Sequence, residues 1–110
     1  MNYYELVTNE NVYKLRLNTR SVIKLEKLLG GNPLKVFADL TEEKLPTVET
    51  MASILYASLL AYNEKMTLEK AYDIFDEWLE SGHMIAEFVA VIVDLYKGAG
   101  IIQKDKAEKN

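Results

Sequence analysis

Asp73, Asp76, Glu77 and Glu80 fall on one helical stretch with the spacing DxxDExxE, and carboxylates so placed are the side chains that a hard divalent cation takes as ligands. One helix face alone rarely completes the six or more oxygens that calcium takes. Like-charged pairs at i, i+4, here Asp73 with Glu77 and Asp76 with Glu80, cost only about 0.2–0.5 kcal/mol each. A packed bundle absorbs that without a cation, so the spacing reads as a solvated acidic face and no metal is expected. His83 is the one histidine. It follows Ser81-Gly82 in a stretch that turns between two helices, with no nucleophile elbow nearby, so it reads as a turn residue. Trp78 reads as core or rim. The run GGNP at residues 30–33 lacks both the lysine-serine pair of a phosphate loop and the dinucleotide glycine spacing. Neither catalysis nor a cofactor is expected.

The elements that position these residues follow from hydrophobic spacing. The segment MIAEFVAVIVDLY, Met84 to Tyr96, carries charge only at Glu87 and Asp94, which lie within about 20° of each other on a helix. Leaving Ile85, Phe88, Val89, Ile92 and Leu95 in water would forfeit about 1.5–3 kcal/mol apiece, so this segment is expected to be a core helix wrapped by the others. It is too short for a bilayer, which needs about 20 residues.

Before it, Tyr3 to Val7 and Val12 to Leu17 read as a hairpin around Thr8-Asn9-Glu10-Asn11, with Tyr13, Leu15 and Leu17 alternating with Lys14 and Arg16. Its apolar face, with Tyr4 or Leu6, is expected on the helices. Thr19 is the expected cap of a first helix, Arg20 to Leu29, that buries Val22, Ile23, Leu25, Leu28 and Leu29. Gly30-Gly31 stops it, and Asn32-Pro33 starts a short second helix with Leu34, Phe37 and Leu40 inward. After a polar loop, Thr41 to Pro46, Thr47 caps a third helix. Glu49, Thr50, Ser53 and Ala57 form its polar side, and Tyr56 and Leu60 intrude beside it. Thr67 caps a fourth, with Leu68, Ala71, Tyr72, Phe75 and Leu79 on one face. The central helix ends at Gly98-Ala99-Gly100.

The predicted fold is mainly α: an N-terminal β-hairpin packed on a five-helix bundle with a buried C-terminal helix. One domain, residues 1–102, precedes a flexible charged tail, residues 103–110.

Composition narrows the function. Without cysteine there is no disulfide frame or thiolate metal site, and the start MNYYELVTNEN shows no secretory signal. The net charge of −4 is unevenly spread. Val12 to Phe37 holds six basic residues against one acid, whereas Glu42 to Tyr96 holds eleven acids against three lysines. That asymmetry allows closure within the fold, head-to-tail contact between copies, or one face for a charged partner. Helices Arg20 to Leu29 and Pro33 to Leu40 have the outline of a helix-turn-helix, and a small DNA-binding regulator is the alternative reading. The second helix offers Lys35 and Asp39 rather than a row of base-reading side chains, and the chain is acidic overall, so nucleic acid is not the expected partner.

Three stretches, VYKLRLNTRSVIKLEKLLGGNPL, LPTVETMASILYASLLAYNEKMTLEKAYDIFDEWLESG and FVAVIVDLYKGAGI, together resemble the tail assembly chaperone family of long-tailed phages and of prophages in Gram-positive bacteria. The likeness runs from Val12 to Ile102 and is one of whole-chain pattern, with no catalytic signature in it. It implies a non-enzymatic factor in the bacterial host cytoplasm that coats the tape measure protein, helps tail tube subunits polymerise, and is absent from the mature virion. Members of that family are often made in a short and a frameshifted long form, and the resemblance implies that this chain is the short one. Tyr56, Leu60, Ile101 and Ile102 are the apolar residues least needed by a single core, and these are the expected partner-binding residues. A homo-oligomer is compatible with the uneven charge, and no membrane partner is expected.

Overall fold

The computed structural model describes residues 3–104 of the chain. The tail expected at 103–110 therefore lies, from Asp105 onward, outside the described residues. Strands β1 (Tyr4–Val7) and β2 (Val12–Leu15) form an antiparallel hairpin with Leu6 opposite Tyr13 and Tyr4 opposite Leu15. Five α-helices follow: α1 (Thr19–Leu29), α2 (Leu34–Thr41), α3 (Val48–Leu60), α4 (Leu68–Glu80) and α5 (Phe88–Ala99), the last preceded by a single 3-10 turn, Ile85–Glu87. The fold is mainly α with a hairpin packed on the helices, and α5 is buried along its inner side.

The caps explain the boundaries. The Asn18 side chain, not Thr19, caps α1 by accepting the Ser21 N–H at 2.9 Å. Gly30 ends that helix at φ 71°, a left-handed value that glycine adopts without a steric penalty. Asn32 Oδ1 accepts the Leu34 N–H ahead of α2. Thr47 and Thr67 cap α3 and α4 through Thr50 and Lys70 N–H groups, each at 3.1 Å. Gly100, at φ 77°, closes α5, so Gly98 belongs to its last turn.

The helix at the centre is α3. Met51 to Leu55 and Ala57 to Leu59 are all buried, on every azimuth, and the neighbours of α3 are β2, α1, α4 and α5. Ser53 and Ala57, expected on a solvent face, are therefore inside. Small residues let flanking helices approach closely, and Ser58 keeps its hydroxyl satisfied by donating to the Leu55 carbonyl at 2.8 Å. The α3 carbonyl of Ser58 in turn accepts the Arg16 N–H at 3.0 Å, tying the hairpin exit to the helix end.

The remaining helices are one-sided. α5 buries Phe88, Val91, Ile92, Leu95 and Tyr96, but Ile85 is exposed and Val89 only half-buried, because the helix begins after Ile85 and not before it. In α1 only Ser21 and Leu25 are buried; Ile23 and Leu28 face outward. Leu34 of α2 is likewise exposed. α4 is turned by about one residue from the expected face, burying Ala71, Ile74, Phe75 and Trp78 and exposing Tyr72. Its aromatic pair meets α5, with Phe88 ring centroids 5.1 Å from Phe75 and 5.7 Å from Trp78.

Candidate functional site

The acidic face of α4 divides in two. Asp73, Asp76 and Glu80 are exposed, as a solvated face requires. Glu77 instead holds the hairpin: its carboxylate accepts from the Thr8 hydroxyl, from Asn11 Nδ2 at 2.9 Å and from the Tyr13 hydroxyl at 2.8 Å. Those three donors keep its pKa below the usual carboxylate value, Thr8 contributing most. The Tyr13 phenol, desolvated and beside that carboxylate, is pushed up to about 12. Thr8 also organises the turn, accepting the Asn11 N–H at 3.0 Å through its hydroxyl. Beside this clasp lies a cleft of about 380 Å³ lined by Asn9, Glu10, Glu77, Glu80 and Ser81. Glu77 already accepts three hydrogen bonds, and no group of acidic or histidine side chains among the described residues is arranged to hold a metal ion.

His83 stacks on Trp78 with centroids 4.4 Å apart and planes 6° from parallel. Its Nδ1 lies 3.0 Å from Glu87 Oε1, and the Met84 N–H donates to the other Glu87 oxygen at 3.0 Å. These contacts lower the Glu87 pKa, the His83 hydrogen bond foremost. A histidine and a carboxylate in contact form part of a hydrolytic triad, but the neighbouring Ser81 is already engaged. Its hydroxyl donates to the Glu77 carbonyl and accepts the Asn9 N–H, each at 2.9 Å. What the arrangement does is fix the α4–α5 turn.

Of the four expected partner-binding residues, Tyr56 and Leu60 lie in the second half of α3 and Ile101 and Ile102 just past α5, and all four are half-buried. Tyr56 is half-buried against the core, with Lys24 Nζ of α1 5.9 Å from its ring centroid. Leu60, one turn on, is half-buried at the end of α3. Ile101 and Ile102 follow Gly100, pack against the core, and both donate N–H groups to the Tyr96 carbonyl, at 3.0 and 3.4 Å. In that position they close the C-terminal end of α5 in the manner of a Schellman turn, which is a structural use of their apolar side chains.

Apolar residues absent from that expectation are more exposed. Met84, at 69 % exposed, adjoins Ile85, at 42 %, where α4 turns into α5. Val7 and Val12 are cross-strand partners at the hairpin tip, on the outward face. Leu45 and Val48 flank the start of α3. Alternation in the hairpin already put Val7 and Val12 opposite the buried Leu6 and Leu15; nothing in the sequence marked Met84, because it continues an apolar run.

For DNA reading, α2 offers the exposed Lys35, paired with Asp39 at 3.5 Å. No helix among the described residues is long and apolar enough to cross a membrane. No curated protein and no solved structure matches the chain. The model of a family of unknown function, DUF6096, matches residues 6–110.

Proposed function

The chain belongs to the DUF6096 family, which carries no assigned activity, and we propose from its own residues that it is a non-enzymatic assembly chaperone of the phage tail type. Its client on this reading is the tape measure protein, and the tail tube subunit is the second partner. It works in the bacterial host cytoplasm and leaves before the virion is complete.

The observation that carries the reading is the apolar surface left outside a well-formed core, above all Met84 and Ile85. A long helical client presents repeated apolar stripes, and a holding factor needs side chains that take such stripes without demanding one sequence. Methionine suits that task because its unbranched, polarisable side chain adapts to irregular surfaces. The 3-10 turn lifts Met84 and Ile85 out of the bundle while Phe88, one turn later, anchors the segment. The resemblance over Val12 to Ile102 supports the same reading.

Co-expression with fragments of a tape measure protein tests it. The chain is expected to co-purify with such fragments and raise their soluble yield, and Met84→Lys with Ile85→Lys is expected to abolish both effects while circular dichroism stays unchanged. Failure to capture any fragment sinks the reading.

A further inference from the structure

The exposed stripes of α1 and α4 match in spacing and oppose in charge. On α1 the residues at i, i+3, i+4 and i+7 are Arg20, Ile23, Lys24 and Lys27, all exposed. On α4 the residues at the same intervals are Glu69, Tyr72, Asp73 and Asp76, also all exposed, and Glu80 continues the acidic row by another turn. At about 100° per residue each set of four occupies an arc of about 100°, with the apolar residue on the same flank in both. The one acid of α1, Glu26, and the one base of α4, Lys70, lie off these stripes.

Among the described residues neither stripe is neutralised. The ion pairs among the described residues are Lys35–Asp39, Lys44–Glu42 and His83–Glu87, which use none of these charges. Among the described residues, the one side-chain hydrogen bond, ion pair or ring contact of a stripe member is that of Lys24 over the Tyr56 ring. α1 and α4 both pack on α3 and have no substantial contact with each other. Their outward faces turn away from that shared neighbour, so they cannot meet inside one copy. Like charges at i, i+4 are mildly destabilising in each stripe alone, and two copies relieve both.

We propose that a second copy of this chain lays the acidic stripe of its α4 on the basic stripe of α1, with Ile23 and Tyr72 as the apolar contacts. The two surfaces differ, so the contact is heterologous and each copy keeps one stripe free for the next. The pairing is electrostatic and exposed, hence weak, and salt dissolves it. It does not rest on the client reading, since Met84 and Ile85 take no part.

Sedimentation velocity on the full chain tests the contact. At low salt the mean mass is expected to rise above the 12.6 kDa monomer as concentration increases, and to return to it when salt is added. Lys24→Glu with Lys27→Glu, or Asp73→Lys with Asp76→Lys, is expected to weaken association at least about tenfold. An equimolar mixture of the two reversed chains restores it, because each basic stripe then faces an acidic one. If circular dichroism shows a reversed chain unfolded, Lys27→Gln and Asp76→Asn carry the same comparison. A mass of one monomer at every concentration and salt overturns the proposal, as does association that the reversals leave unchanged. So does a basic stripe whose reversal abolishes binding of a duplex DNA probe and leaves the mass unaltered.

Discussion

Helices α3 and α5 are both rich in apolar residues, yet α3 is enclosed on all sides and α5 on one. The difference lies in charge and in side-chain size. From Thr50 to Asn63 the chain has no charged residue at all, whereas α5 is bracketed by Glu87 and Lys97 and carries Asp94 in its middle. The four small residues Ala52, Ser53, Ala57 and Ser58 let α3 take close neighbours on every azimuth. A single small domain has room for one such helix. Serine in a helix is therefore a weak indicator of solvent, since its hydroxyl finds a carbonyl one turn back.

The sharpest way to break this comparison is to shorten one isoleucine near each helix. Ile54→Ala in α3 is expected to destabilise the fold by about 2–5 kcal/mol, whereas Ile85→Ala, just before α5, stays within about 0.5 kcal/mol; urea unfolding midpoints measure both. Enlarging an alanine is the next test. Ala57→Leu is expected to cost about 1–3 kcal/mol by overpacking, against a change within about 0.5 kcal/mol for Ala90→Leu on the exposed side of α5. Equal losses at Ala57 and Ala90 mean that α5 is enclosed as well.

A smaller effect concerns the buried side of α5. The Tyr96 hydroxyl donates to the Pro33 carbonyl at 2.9 Å, and burial raises its pKa, so it is a neutral donor at all ordinary pH values. Tyr96→Phe removes that donor while the Val36 N–H still serves the same carbonyl. A loss of about 0.5–1.5 kcal/mol in thermal unfolding is expected.

The smallest effect separates the interior from the clasp on its rim. Glu77 and Glu87 have folded-state pKa values below the unfolded value. Their contribution is complete above the unfolded pKa and disappears as pH falls through the depressed folded one. Stability is expected to be flat above about pH 5 and to decline below about pH 4. Glu77→Gln reduces that acid slope; an unchanged slope shows that the clasp contributes nothing.

Much of the fold was legible in the sequence. Alternation located the hairpin, Thr47, Thr67 and the glycines located the helix ends, one-sided spacing identified the inner residues Leu25 and Phe75, and the nearly uncharged run from Met84 to Tyr96 held the inner residue Phe88. Two things were hidden for physical reasons. The enclosed helix was masked by small residues, Ser53 and Ala57, that read as a polar side but fit where neighbouring helices come close. Glu77 was hidden in an acidic row because what distinguishes it from Asp73 and Asp76 is three donors on a strand turn more than sixty residues earlier. The structural use of Ile101 and Ile102 was hidden in the same way: they read as surplus only until the end of α5 needs closing.

The distance along the chain between the hairpin and its clasp governs when the fold can form. Thr8, Asn11 and Tyr13 are synthesised before their acceptor, which is made 64 to 69 residues later. Until then a two-stranded ribbon, marginal on its own, has only the contacts of β2 and Arg16 with α3 to hold it. Completion of the hairpin's docking is thus a late event, and amide protection in β1 and β2 reports on the integrity of the helices that hold it, α3, α4 and α5, rather than on the ribbon itself.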